Sequence, residues 1–222
     1  MVKEAVKRAA QSVLGANVND TIAFYDKTWS LFYDGDLETF EQSGYNGTFL
    51  CVELISKHLP HRSSSILDIC CGSGQLGELL WQQGFTNLHG YDGSREMLEV
   101  AERKRVYTKL YHEILAPNQN SSVLQDLKFD CVAALNCFYS MHLDQRHVAA
   151  VLNVLEVNGL FLICYNAAFE LQLVSEELSL REENGELILL ASKENRFSID
   201  GQDQLYILKV YWKLRIQSST LE

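Results

Sequence analysis

The chain has 222 residues, 47% of them hydrophobic, with a formal charge of −10 and only two prolines. That size and composition suit one compact domain and exclude a fibrous repeat or a long disordered tail. The acidic balance disfavours nucleic-acid partners, whose nonspecific affinity comes from clustered Lys and Arg; the one basic cluster, Arg103-Lys104-Arg105, falls where a helix is expected to end and complements its dipole.

The N-terminal residues Val2 to Leu14 carry a weak helical rhythm and read as a docked or loosely held helix. Thr21 to Ser30 and Thr48 to Leu59 read as helices, the second stopped by Pro60. Between them the aromatic, acidic stretch Leu31 to Gly47 reads as a loop and a candidate lid. From Ser65 the pattern alternates strand and helix: strand Ser65 to Cys70, helix Gly74 to Gln83, strand Asn87 to Tyr91, helix Arg95 to Arg103 behind Ser94 as its cap, then strand Val106 to His112. Phe129 to Leu135 is a continuous apolar strand, Leu143 to Leu155 a helix, and Asn158-Gly159 turns into the strand Leu160 to Tyr165. A helix Phe169 to Glu183 precedes two long strands, Glu186 to Phe197 and Leu205 to Gln217. Consecutive strands with no crossover pair antiparallel. The expected fold is therefore α/β, a Rossmann-like doubly wound, mostly parallel seven-stranded sheet with a C-terminal antiparallel strand pair. One domain spans 1–222, with N-terminal helices and the candidate lid in 1–60 and a cofactor-binding core in 65–222.

Six cysteines without paired metal-ligand spacing read as core thiols, with no metal expected and a reducing, cytoplasmic setting. Neither a leader pattern nor a run of membrane-spanning length is visible, so no membrane association is expected.

Gly72-Ser73-Gly74-Gln75-Leu76-Gly77 fits G-x-G-x-x-G after a strand and at the start of a helix. By itself that loop fits a pyrophosphate or an amino-acid carboxylate. Asp68, inside the end of the strand, would repel a pyrophosphate but welcome an ammonium group; Asp92, at the next strand end, can accept from ribose hydroxyls. The pair suits S-adenosylmethionine better than NAD. A nicotinamide-dependent oxidoreductase stays open as an alternative, as does a non-catalytic binding or scaffold protein.

Ile66 to Gly74 resembles the first motif of class I S-adenosylmethionine-dependent methyltransferases. Gly90 to Ser94 with Met97-Leu98 resembles their acidic second strand and the helix after it; Phe129 to Val132 and Asn158 to Phe161 are similar to their fourth-strand and fifth-strand motifs. Phe24-Tyr25-Asp26, Tyr33-Asp34 and Tyr45 are similar to the methyltransferase-like proteins of the Williams-Beuren syndrome region type. The resemblance implies methyl transfer from S-adenosylmethionine, with Asp68, Cys70, Cys71, Gly72, Gly74, Asp92, Gly93, Met97, Glu113, Ile114 and Asn136 at the cofactor. Among these, Gly72 and Gly74 would line the methionine and ribose end, Asp92 bind ribose, Met97 cover adenine, Glu113 approach its amino group and Asn136 lie near the methyl. Cys70 stands where the family usually has glycine.

Methyl transfer is an in-line displacement, so positioning dominates and a base is needed only for a hydroxyl or a protonated amine. His142, Asp144 and His147 are candidates for that base, and Tyr25, Tyr33 and Tyr45 could close over the site, with His142 and Tyr33 favoured as catalytic candidates. A small-molecule acceptor is expected ahead of a protein side chain.

Overall fold

The computed structural model describes residues 2–139, 141–169 and 172–214. Eight α-helices and seven strands are described, in the order α1 (Val2–Gln11), α2 (Val18–Lys27), α3 (Tyr33–Gln42), α4 (Gly47–His58), β1 (Ser65–Ile69), α5 (Gln75–Gln82), β2 (Asn87–Asp92), α6 (Arg95–Lys104), β3 (Lys109–His112), β4 (Phe129–Leu135), α7 (Gln145–Asn153), β5 (Leu155–Asn166), α8 (Gln172–Glu183), β6 (Leu187–Ile199) and β7 (Gln202–Lys213). The seven strands form one sheet, ordered β3-β2-β1-β4-β5-β7-β6. The first five are parallel, and β7 inserts antiparallel between β5 and β6.

Central strands buried on both faces explain the unbroken apolar runs. On one face Ile66, Cys131, Ala133, Leu160 and Leu162 pack with Leu54 and Ile55 of α4 and Leu76 and Leu80 of α5. Their neighbours Leu67, Ile69, Val132, Ala134, Phe161 and Ile163 point the other way, into a cluster with Val148 and Val151 of α7 and Val174 and Leu178 of α8. The period-2 alternation of β-strands thus builds two cores from one sheet.

Local chemistry sets the helix starts. Asn17 caps α2 through its side chain, Ser94 accepts from Met97 N at 3.1 Å to cap α6, and Asp144 forms a capping box with His147 on α7.

The structure departs from the sequence expectations at five places. The stretch Leu31 to Gly47, expected as loop, instead holds the end of a 3-10 turn (Trp29–Leu31) and α3. That helix has little apolar periodicity and is held from outside it: Asp36 accepts two Arg8 N–H groups at 2.6 Å and Trp29 Nε1 at 2.8 Å. The third strand begins at Lys109 rather than Val106, because Tyr107 turns toward β1. The fifth begins at Leu155, running through Asn158 in a left-handed conformation (φ 67°). The helix expected from Phe169 starts at Gln172, after a 3-10 turn at Ala167–Phe169. The described part of the last strand ends at Lys213, and the expected positions 215–217 lie outside the described residues. Among the described residues, no helix is long and apolar enough to cross a membrane.

Candidate cofactor and acceptor site

The strand order reverses between β1 and β4: from β1 the chain builds outward through β2 and β3, then crosses to β4 and β5. Such a switch point leaves a crevice at the carboxyl ends of the strands, where open α/β sheets bind their ligands. A cavity of about 720 Å³, open solvent at its mouth included, lies there. Its floor is Cys70, Gly72, Tyr91, Asp92, Leu135 and Asn136, and its sides include Gly93, Met97, Glu113 and Ile114. Val18, Thr21, Ile22 and Tyr25 of α2, with Tyr33 of α3, form the roof.

Asp92 organises the floor. Its Oδ2 accepts Gly72 N–H at 2.9 Å and its Oδ1 accepts Ser94 N–H at 2.8 Å. Each carboxylate oxygen keeps a further lone-pair direction for a ligand hydroxyl. Burial pushes the Asp92 carboxyl above its ordinary range, and the two backbone donors oppose that rise.

Two of the three glycines of the loop, Gly72 and Gly77, do different work. Gly72 (φ 51°) faces the cavity, where a Cβ would approach only the flexible end of Met97, at 3.2 Å. Gly77 is needed for packing: a Cβ there would lie 2.4 Å from the Tyr107 ring.

Three of the residues expected at the cofactor lie behind the cavity. Asp68 is 3% exposed and accepts the Tyr107 hydroxyl at 2.6 Å, pointing into the seam between β1 and the turn before β3. Burial raises its carboxyl to about 7, with the Tyr107 hydrogen bond pulling the other way. Cys71 is buried, donating its N–H to Tyr91 O at 3.1 Å, and Gly74 packs against Tyr107 and Ala101. The physical reason is that Asp68 shares the β1 face of Ile66, packed against α4 and α5, and that the left-handed Cys70 (φ 58°) then ends the alternation, bringing Cys70 and Gly72 to the crevice while Cys71 and Gly74 stay in the core. Cys70, Gly72, Asp92, Gly93, Met97, Glu113, Ile114 and Asn136 all line the cavity. Glu113 is heavily engaged, accepting from Tyr91 and Ser121 hydroxyls and from the N–H and hydroxyl of Ser122. Partial burial pushes its carboxyl up, but these donors outweigh that and leave it below its ordinary range.

His142 lines the cavity, its Nε2 3.1 Å from the Tyr25 hydroxyl. Asp144 and His147 instead form the cap of α7, where Asp144 also pairs with Arg146 at 2.6 Å. Tyr33 reaches both this cavity and a second one beneath the N-terminal helices, while Tyr45 lines only the second and accepts from Asn136 Nδ2 at 2.9 Å. Sequence reasoning missed Thr21, Leu115, Leu135, Cys137 and Met141. Leu135 and Cys137 flank Asn136 at the end of β4, so position after a strand at the switch point was a usable signal; Thr21 in a helix offered none.

The roof is fastened to the core by side chains. Ser94 Oγ donates to Asp26 Oδ1 at 2.6 Å, and Gln75 Nε2 donates to Glu41 at 2.6 Å. Lys104 Nζ lies 3.4 Å from Asp34.

Residues 66–159 match the model of a methyltransferase domain. The chain is also similar to human methyltransferase-like protein 27, 36% identical over 105 residues, which are 46% of this chain and 40% of that protein. It thus spans less than half the length of this curated relative. Among solved structures, a TehB-like S-adenosylmethionine-dependent methyltransferase from Corynebacterium glutamicum superposes with a TM-score of 0.58 at 19% identity, over 83% of this chain and 97% of that one. The N-methyltransferase NodS from Bradyrhizobium japonicum, in complex with S-adenosyl-L-homocysteine, gives 0.56 at 16%, over 73% and 85%. The [4+2]-cyclase SpnF gives 0.62 at 13%, over 85% and 94%. The fold is thus the Rossmann-like fold of S-adenosylmethionine-dependent methyltransferases, and S-adenosylmethionine is the cofactor that goes with this domain and fold. SpnF, a [4+2]-cyclase on this fold, means that the fold by itself does not fix the reaction.

The residues present fit that cofactor. Thr21 Oγ1 is buried without a hydrogen-bond partner and lines the cavity, and Ser73 Oγ is likewise unpartnered within the loop. Buried polar atoms in a folded protein are normally paired, so both await a partner. Glycines at 72 and 93 keep the cavity walls low beside the acid that ribose hydroxyls would meet.

Proposed function

We propose that the chain is an S-adenosylmethionine-dependent methyltransferase acting on a small-molecule acceptor, in a reducing, cytoplasmic setting that suits its six free cysteines. The observation that carries the reading is Asp92, at the end of β2, holding the Gly72 backbone while facing the switch-point cavity inside the matched domain. When bound, the cofactor supplies an electrophilic methyl carbon: the acceptor lone pair bonds to it, the carbon–sulfur bond breaks, and its electron pair stays on sulfur.

The protein's part is holding and excluding. Asp92 would take the ribose hydroxyls, with Met97 and Ile114 flanking the base and Asn136 at the methyl end. The roof of α2 and α3 keeps water out. His142 is the candidate in the cavity to take a proton from an acceptor, its ring held by the hydrogen bond with Tyr25. A roof fastened over the cavity supports a small acceptor rather than a protein segment. Tyr25 and Tyr33 of that roof, with Tyr45 in the neighbouring cavity, also support membership of the Williams-Beuren region type of methyltransferase-like protein.

Calorimetric titration with S-adenosylmethionine, S-adenosyl-L-homocysteine and NAD tests the reading. The first two are expected to bind, and Asp92→Ala should weaken both at least tenfold, since it removes a charge-assisted contact worth roughly 1.5–3 kcal/mol. Binding of NAD alone would overturn it. Incubation with methyl-labelled cofactor and a small-molecule cell fraction tests turnover; persistent absence of labelled product favours a binding scaffold.

A further inference from the structure

The second cavity, about 970 Å³ with its mouth included, is enclosed by α1, the 3-10 turn, α3 and the β6–β7 hairpin. It shares Tyr25, Tyr33 and Asn136 with the cofactor cavity, so the two chambers meet at those side chains. An in-line displacement needs the acceptor on the side of the methyl opposite the sulfur, and a chamber opening on the methyl end meets that demand.

The chemistry of the lining selects the occupant. Tyr25, Trp29 and Tyr33 form a continuous aromatic wall, with centroids 5.2 Å apart for Tyr25–Trp29 and 5.0 Å for Trp29–Tyr33. Tyr45 and Tyr206 form another, 4.8 Å apart. Among the described residues no lysine, arginine or histidine lines the chamber, and the one charged residue that does, Asp36, is committed to Arg8 and Trp29. An anion entering there would be desolvated with hydroxyl and amide donors but no cation to pair with, which is costly. Polar recognition is left to neutral groups, the tyrosine hydroxyls and the amides: Asn166 donates to Gln204 Oε1 at 2.8 Å at the hairpin end, and Asn136 stands at the cofactor end.

We infer that this chamber is the acceptor site and that it takes an uncharged, ring-bearing small molecule, its ring between the aromatic walls and its nucleophilic atom at Asn136 and Tyr33. The inference rests on the methyl-transfer reading above and adds to it the acceptor class.

The test is titration of the protein, saturated with S-adenosyl-L-homocysteine, with 1-naphthol and with 1-naphthoate, probes of similar ring size that differ in charge. The naphthol is expected to bind at least tenfold more tightly. Ala9→Phe, which fills the chamber from α1 without touching the cofactor cavity, should abolish naphthol binding and leave S-adenosyl-L-homocysteine binding intact. Gln204→Lys puts a cation at the amide end and should raise naphthoate affinity at least fivefold. Equal binding of the two probes, or naphthol binding that survives Ala9→Phe, overturns the assignment. The failures are separable: retained homocysteine-adduct binding without probe discrimination sinks the acceptor class alone, whereas loss of that binding in the wild-type protein sinks the methyl-transfer reading.

Discussion

Replacing Asp68 by Asn is expected to stabilise the protein above neutral pH and to leave it nearly unchanged in mild acid. The carboxyl is 3% exposed and its one hydrogen bond is from Tyr107 at 2.6 Å, a donor that Asn Oδ1 can still meet. Burial raises its folded pKa from 3.8 to about 7, and Asp92 nearby adds to the rise. A folded pKa above the unfolded one means that the native state binds the extra proton between those values, so stability falls as pH rises. The contribution is fully present below about pH 4 and is lost as pH climbs through about 7. At about 1.4 kcal/mol per pH unit between 3.8 and about 7, the loss is at most about 4 kcal/mol. For a chain of this size that is roughly 10 °C in Tm. Thermal melts of the wild-type and Asp68→Asn proteins at pH 4, 5, 6, 7 and 8 should therefore coincide at pH 4 and separate progressively up to about pH 7, with the variant higher and the gap constant above that. Parallel curves, or a variant that melts lower at pH 8, would refute the assignment of Asp68 as a buried carboxyl facing Tyr107.

Three further outcomes follow from named contacts. Ser94→Ala removes the side-chain cap of α6 and the roof contact to Asp26, so Tm should drop by roughly 2–4 °C, the worth of about 1 kcal/mol; an unchanged melt rejects the capping role. Arg8→Ala leaves Asp36 with Trp29 as its remaining side-chain donor; amide exchange in α1 and α3 should quicken at least fivefold while the parallel strands keep their protection, and uniform exchange would show that the pair does not hold the roof. Cys70→Gly relieves a left-handed backbone (φ 58°) in the cavity wall but raises the entropy of the unfolded chain by a similar amount, each about 1 kcal/mol. Its melt should stay within a few degrees of wild type while S-adenosyl-L-homocysteine binds more tightly; weaker binding would make the sulfur a contact rather than an obstruction.

The parallel core was legible because two-sided burial writes apolar runs such as Phe129 to Leu135, and glycines and caps such as Gly84 and Ser94 punctuate them. The placement of β7 between β5 and β6 was not, since two adjacent strands announce a hairpin without saying which member meets the parallel sheet. Helix α3 was hidden because what holds it, Arg8 on Asp36, spans 28 positions of sequence. The site divided along the same line. Asp92, Gly72 and Asn136 were readable as ends of strands, where alternation and the switch point decide direction. Spacing puts Asp68 at the loop, whereas its partner in the structure, Tyr107, comes from a turn that the sequence presents as strand.

Backbone strain separates the wall of the cofactor cavity from the rest of the fold. Seven described non-glycine residues have positive φ. Arg105 ends α6 and Asp200 turns the β6–β7 hairpin; Asn118 lies in a connection and Asn158 in β5 just before Gly159, and asparagine tolerates that conformation. Turn chemistry accounts for those four. The other three, Cys70 (φ 58°), Asn136 (φ 52°) and Met141 (φ 64°), all line the cofactor cavity. Two of them directly follow β1 and β4, the neighbouring strands at which the sheet reverses its order. The chain must leave these two ends in different directions, and the left-handed residue is the bend that makes the crevice. Such conformations cost of order 1–3 kcal/mol each and persist only where the surroundings over-determine them. Here the surroundings are strands buried on both faces, with Leu67, Ile69, Val132 and Ala134 at 2% exposure or less. Substitutions in those strands should thus act on folding, whereas substitutions at Cys70 and Asn136 act first on what the cavity holds.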